Sequence, residues 1–170
     1  VNDKGQVQLD SFPGLRVLGY FTRPESRGST HVTSSDAAQM PAINANHFDE
    51  EIDRQTALDL FKWLRRLGQQ PALSRWIVEE IGMGATVQSD DDILANLLKL
   101  GGTSFHIAGT AAMGADESSV LDPQLRVRGV EGLRVCDTSI MPTLVSGNTN
   151  APAMAIAMNA ADMILSKEPI

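Results

Sequence analysis

Residues 151–166 constrain the fold more than any other stretch of the chain. Ala153, Met154, Ala155, Ile156, Ala157, Met158, Ala160, Ala161, Met163 and Ile164 follow with few polar breaks. This predicts a helix that is apolar nearly all round and therefore buried on most sides. The chain has 170 residues, 42% of them hydrophobic. That length suits one domain, or a domain and a half, burying roughly two-thirds of its unfolded surface. An isolated small domain rarely has the mass to bury such a helix, so a further partner segment is expected. The start of the chain points the same way. Val1 opens a polar, strand-like run over residues 1–9 with no initiator Met and no leader pattern. The chain is expected to be a piece of a longer one.

Charge and cysteine content narrow the function classes. Fourteen basic and 21 acidic residues give a net charge of -7. An acidic chain with no basic run is a poor partner for nucleic acid or an anionic membrane. No stretch has the length of a transmembrane helix. The single cysteine, Cys136, excludes an intramolecular disulfide framework and a Cys-cluster metal site. No metal site and a cytoplasmic location are expected.

Four regions differ in pattern. Residues 1–33 read as short strands broken by turns, with Pro13-Gly14 as punctuation, an apolar β-prone run at 16–21 and alternation at 30–33. Residues 34–46 read as a loop. Residues 49–67 read as an amphipathic helix with Ile52, Leu58, Phe61 and Leu64 inward, stopped by Gly68. Pro71 opens a short helix over 72–81. Ser89 and Asp92 resemble a capping box before a third helix over 90–100, with Ile93, Leu94, Leu97 and Leu98 inward and Gly101-Gly102 at its end. Residues 120–130 and 132–137 read as two strands joined by a turn.

Chemistry concentrates in two places. His31 and His47 read as surface residues. His106 sits among glycines and small residues that allow close approach of backbone or ligand. An imidazole there suits a general base near neutral pH; a buried histidine bonded to backbone is the competing reading. The second place is Val145-Ser146-Gly147-Asn148-Thr149-Asn150-Ala151-Pro152, just before the apolar helix. Asn and Thr are strong N-caps and Pro suits a first helical turn. The same helix start also suits a developing anion. Other templates fail. There is no Gly-x-Ser-x-Gly elbow and no P-loop, and Gly82-Met83-Gly84 lacks the third glycine of a dinucleotide loop. Asp90-Asp91-Asp92 reads as an acidic first helical turn.

Taken in order, several motifs resemble the C-terminal part of the glucose–methanol–choline (GMC) family of flavin oxidoreductases. They are Arg23-Pro24-Glu25-Ser26-Arg27-Gly28-Ser29, then Phe105-His106 with Gly109-Thr110 and Met113-Gly114. Next come Leu121-Asp122-Pro123-Gln124-Leu125-Arg126-Val127-Arg128-Gly129-Val130 and Gly132-Leu133-Arg134-Val135-Cys136-Asp137-Thr138-Ser139-Ile140-Met141-Pro142. Last is Ser146-Gly147-Asn148-Thr149-Asn150-Ala151-Pro152.

The resemblance implies FAD as cofactor and oxidation of a small-molecule alcohol. It implies His106 as general base and Asn148 as its active-site partner. Asp137, with Thr138 beside it, would meet the ribityl–pyrophosphate region, and Asn148, Thr149 and Asn150 the pyrimidine edge of the flavin. Ile107 departs from the family, in which Pro often follows the histidine. The implied fold class is α+β: a substrate-binding cap of antiparallel sheet and helices over 1–119, then the final strand and buried helix of an FAD-binding α/β domain over 120–170. The fold is incomplete without an N-terminal FAD-binding part, and the piece alone is expected to be inactive. The electron acceptor stays open. So do two alternatives, a flavin-containing hydroxynitrile lyase and a non-catalytic stand-alone domain.

Overall fold

The computed structural model describes residues 11–165. The run expected at 1–9 and the helix end expected at Ser166 lie outside the described residues. Among the described residues, the first regular element is a two-stranded antiparallel sheet of β1 (Ser29–His31) and β2 (Ala42–Asn44), pairing Thr30 with Ile43. Gly28 leads into it. A Cβ there would collide with the carbonyl oxygens of Asn44 and Ala45, so no side chain fits. β2 falls within the stretch read as loop. Turn residues surround a strand of only three residues, too short to show a period. Residues 16–21 are not a strand but a mostly exposed run without regular structure, and among the described residues no strand pairs with them.

Three helices follow, α1 (Glu51–Gly68), α2 (Pro71–Ser74) and α3 (Asp90–Leu100). α1 and α3 match the sequence reading within two residues. Acidic residues lie in the first turn of α1 and arginines in its last, as the helix dipole favours. α1 packs against α3, and Ala57, Leu58 and Ile93 are their buried apolar residues. Lys62 and Asp90 join the two helices at 2.6 Å. Ile52 and Leu98, expected inward, are exposed, and Asp53 is buried instead. α2 is a single turn rather than a helix to Ile81. The chain beyond it is held by Arg65 of α1. Its guanidinium grips both carboxylate oxygens of Glu80 at 2.9 Å and donates to the carbonyls of Gly84 and Val87.

Among the described residues, the last third contains no regular strand. Where two strands were expected, isolated bridges join Leu121 to Met113 and Val127, and Arg126 to Arg134. Asp122 closes the turn between them by accepting the N–H groups of Gln124 and Arg126, both at 2.9 Å. A 3₁₀ turn (Thr138–Ile140) and α4 (Asn150–Ile164) are the last elements among the described residues. Leu121, Leu125, Ile140 and Ala160 form the buried cluster, with Ala111, Val127, Val135, Ile156 and Met163 against it. α4 is a helix as expected, yet within this chain only Ala160 of it is buried. Among the described residues, no helix is long and apolar enough to cross a membrane.

Candidate functional site

The loop carrying His106 lies along the 3₁₀ turn. Ala111 and Met113 donate their N–H groups to the carbonyls of Ser139 and Ile140, at 3.0 and 2.9 Å. Thr138 Oγ1 donates to the carbonyl of Ile107 at 3.1 Å. Phe105, immediately before the histidine, has φ 60°, a left-handed conformation that bulky residues seldom adopt. Thr103 Oγ1 accepts the N–H of Phe105.

His106 is half-buried and meets the segment before α4 through both ring nitrogens. Nδ1 lies 2.8 Å from Thr149 Oγ1, and Nε2 lies 3.1 Å from Asn148 Oδ1. Both contacts are to side chains, so the reading of a histidine bonded to backbone is set aside. Tyr20 Oη donates to the same Asn148 oxygen at 3.3 Å. An amide can turn either its oxygen or its NH₂ to Nε2, and a hydroxyl can donate or accept at Nδ1. The pair therefore serves neutral imidazole and imidazolium alike.

Asn150 opens α4 and Thr149 sits at its N-cap position, without a side-chain cap hydrogen bond. No acidic residue lies in the first turn. Its leading N–H groups and the positive end of the helix dipole are therefore not offset locally. Such a donor set fits the electron-rich edge of a flavin. Asp137 is exposed and caps the 3₁₀ turn by accepting the N–H of Ser139 at 2.8 Å. The hydrogen bonds from Ser139 hold its carboxyl below the ordinary range. A carboxylate kept ionised in this way fits polyol hydroxyls as donors.

A groove of about 640 Å³ runs between the β1–β2 hairpin and the loops around Ile107–Thr110 and Met141–Leu144. Arg27 and Gly28 of the Arg23–Ser29 motif line it, so this motif faces the loop that carries His106. A second hollow of about 810 Å³ between Glu117 and Arg134 contains none of the site residues. His31 and His47 are exposed, as expected. The sequence reading missed Tyr20 altogether and gave Thr149 no contact to His106. Tyr20 is the chain's single tyrosine, and no local pattern links it to a residue 128 positions away.

A family model described as GMC oxidoreductase, covering the C-terminal part of such proteins, matches residues 24–157. The chain is 41% identical over 144 residues to an alcohol dehydrogenase [acceptor] of Pseudomonas putida, spanning 85% of this chain and 26% of that protein. It is 37% identical over 168 residues to an oxygen-dependent choline dehydrogenase of Vibrio vulnificus strain YJ016, spanning 98% of this chain and 30% of that protein. Its fold matches that of an FAD-dependent oxidoreductase from Chaetomium thermophilum with a TM-score of 0.78 and 32% identity, over 85% of this chain and 25% of that one. The chain thus spans about a quarter to a third of the length of these relatives. A match running from the Arg23–Ser29 motif into α4, with His106 and Asn148 inside it, identifies the chain as a member of the GMC oxidoreductase family.

Proposed function

We propose that this chain is the C-terminal part of an FAD-dependent enzyme that oxidises a small-molecule alcohol, with His106 as general base. One observation carries the reading. His106 and Asn148 lie 42 residues apart in sequence, yet their side chains meet at 3.1 Å beside the start of α4. Bound FAD would supply the two-electron acceptor for the hydride leaving the alcohol carbon. The chain's own residues would do the rest. Nε2 of His106 would take the hydroxyl proton. Asn148, adjacent to it, would hold the substrate oxygen by a hydrogen bond. Nδ1 would keep its partner Thr149 while the ring gains charge. The N-terminus of α4, with the backbone of Asn148, Thr149 and Asn150, would stabilise negative charge developing on the flavin's pyrimidine edge. Asp137 and Thr138 would face the ribityl–pyrophosphate region. Residues 1–119 would mostly form the substrate cap, and residues 120–170 would return to the FAD-binding domain.

The test is an anaerobic absorption spectrum of the complete gene product, taken before and after addition of simple alcohols. Bleaching of the oxidised flavin band by an alcohol is expected. His106→Asn is expected to retain flavin and slow the bleaching about 10²- to 10⁴-fold, the usual worth of a positioned acid–base group. Wild-type bleaching in H106N would remove the general-base role, and a flavin that no alcohol reduces would overturn the oxidation reading.

A further inference from the structure

Thr149 occupies the position where a threonine ordinarily caps a helix. A capping hydroxyl accepts the N–H of the second or third helical residue. Here the third helical residue is Pro152, which has no N–H. Thr149 has αR backbone angles (φ -85°, ψ -2°) rather than the extended ones of a side-chain cap, and it caps nothing. The residue is nonetheless buried at 8% exposure, and its hydroxyl lies 2.8 Å from His106 Nδ1. The backbone still starts the helix, with Ala153 N–H on the Thr149 carbonyl at 2.9 Å.

We propose that Thr149 is a positioning residue for His106. Its hydroxyl, not used as a helix cap, accepts the Nδ1–H of the neutral ring, which fixes the imidazole plane and the tautomer whose bare Nε2 collects the substrate proton. This rests on the general-base reading above. A hydroxyl suits the task because it accepts the Nδ1–H of the neutral ring and goes on accepting it in the imidazolium. Among the described residues, no carboxylate reaches the ring nitrogens. The neighbouring titratable group is Tyr20, which reaches the ring only through Asn148. The orienting role that a carboxylate plays in other acid–base pairs thus falls to Thr149.

The experiment uses the complete gene product with Thr149→Val, Thr149→Ala and Thr149→Ser. The Val and Ala variants are expected to lose about ten- to a hundredfold in kcat/KM, the worth of one hydrogen bond to a charged group. The loss falls mainly on kcat, and the Ser variant recovers to within about threefold of wild type. A second readout is independent of turnover. In protein labelled with ¹⁵N-histidine, the His106 resonances, assigned by their loss in H106N, are expected to change their tautomer pattern in the Val and Ala variants but not in Ser. A helix-capping role would lower stability and leave that pattern unchanged. Wild-type tautomer pattern and wild-type kcat in both Val and Ala variants would overturn the proposal. Undiminished turnover in H106N would refute the general-base reading, and the ¹⁵N pattern would still decide whether Thr149 orients the ring.

Discussion

At the scale of single residues, the buried carboxylate of Asp53 ties a distant stretch of backbone to α1. It is 2% exposed and accepts the N–H groups of Glu25 at 2.9 Å and Ser26 at 2.7 Å. Ser26 Oγ in turn accepts the N–H of Glu50. Asp53 thereby fastens the Arg23–Ser29 motif, which lines the groove beside the His106 loop, to the start of α1. Burial pushes its carboxyl up, but the Ser26 hydroxyl, the two N–H groups and the Arg27 charge outweigh that and leave it below its ordinary value of 3.8. Asp53→Asn would set an NH₂ group against one of those N–H donors. It is expected to destabilise by about 1–3 kcal/mol, the penalty for a buried polar group left without a partner. A group whose folded value is depressed adds stability above its unfolded value and loses it as pH falls through the folded one. The stability gap between wild type and D53N should therefore be full near neutrality and close as pH drops below about 4. Denaturation midpoints measured from pH 7 to pH 3 check this, and a gap that stays constant contradicts it. Asp53 is not among the residues that the period of α1 turns inward. Periodicity sorts residues by hydropathy, and a carboxylate buried to bind backbone has the wrong hydropathy for its position.

At the scale of elements, what was legible followed from local rules. Ser89 caps α3 by accepting the Asp92 N–H at 3.1 Å and donating to the Asp92 carboxylate at 2.6 Å. Both groups lie within four residues, so the motif showed where the helix starts. Ser89→Ala should cost about 1 kcal/mol of local helix stability, the usual worth of such a cap. Hydrogen exchange of the first-turn amides of α3 should then quicken roughly fivefold, and unchanged exchange would show that tertiary packing alone holds this turn. β2 and the bridged stretch from 120 to 137 were not legible, because their pairing depends on partners in space. The candidate site divides along the same line. His106 and Asn148, which the ordered motifs single out, meet at 3.1 Å. The contact of Thr149 with His106 was not legible: the sequence offered Thr149 only as a helix-start residue and a contact to the flavin, and its partner lies 43 positions away.

At the scale of the whole molecule, the surface of the chain is too large for its mass. The accessible area is 13113 Å² for 18.3 kDa, whereas a compact monomer of that mass exposes roughly 8,100 Å². α4 shows where part of the excess lies. Ala160, Ile156 and Met163 face the buried cluster, but on other faces Met154 and Met158 are 56% and 68% exposed. A helix this apolar, bare over most of its circumference, is stable only when something covers it. On the proposed function, the cover is the FAD-binding part of the same protein, and the start of α4 that serves the flavin then belongs to a buried helix. Met158→Glu in the complete gene product should therefore destabilise it by at least about 2 kcal/mol, the transfer free energy of a buried Met side chain, with a further penalty for an unpaired charge. Met158→Leu, similar in volume, should stay within about 1.5 kcal/mol of wild type. Thermal denaturation followed by flavin release distinguishes the two variants. If M158E melts and retains flavin like wild type, this face of α4 meets water, and the excess surface must be covered elsewhere.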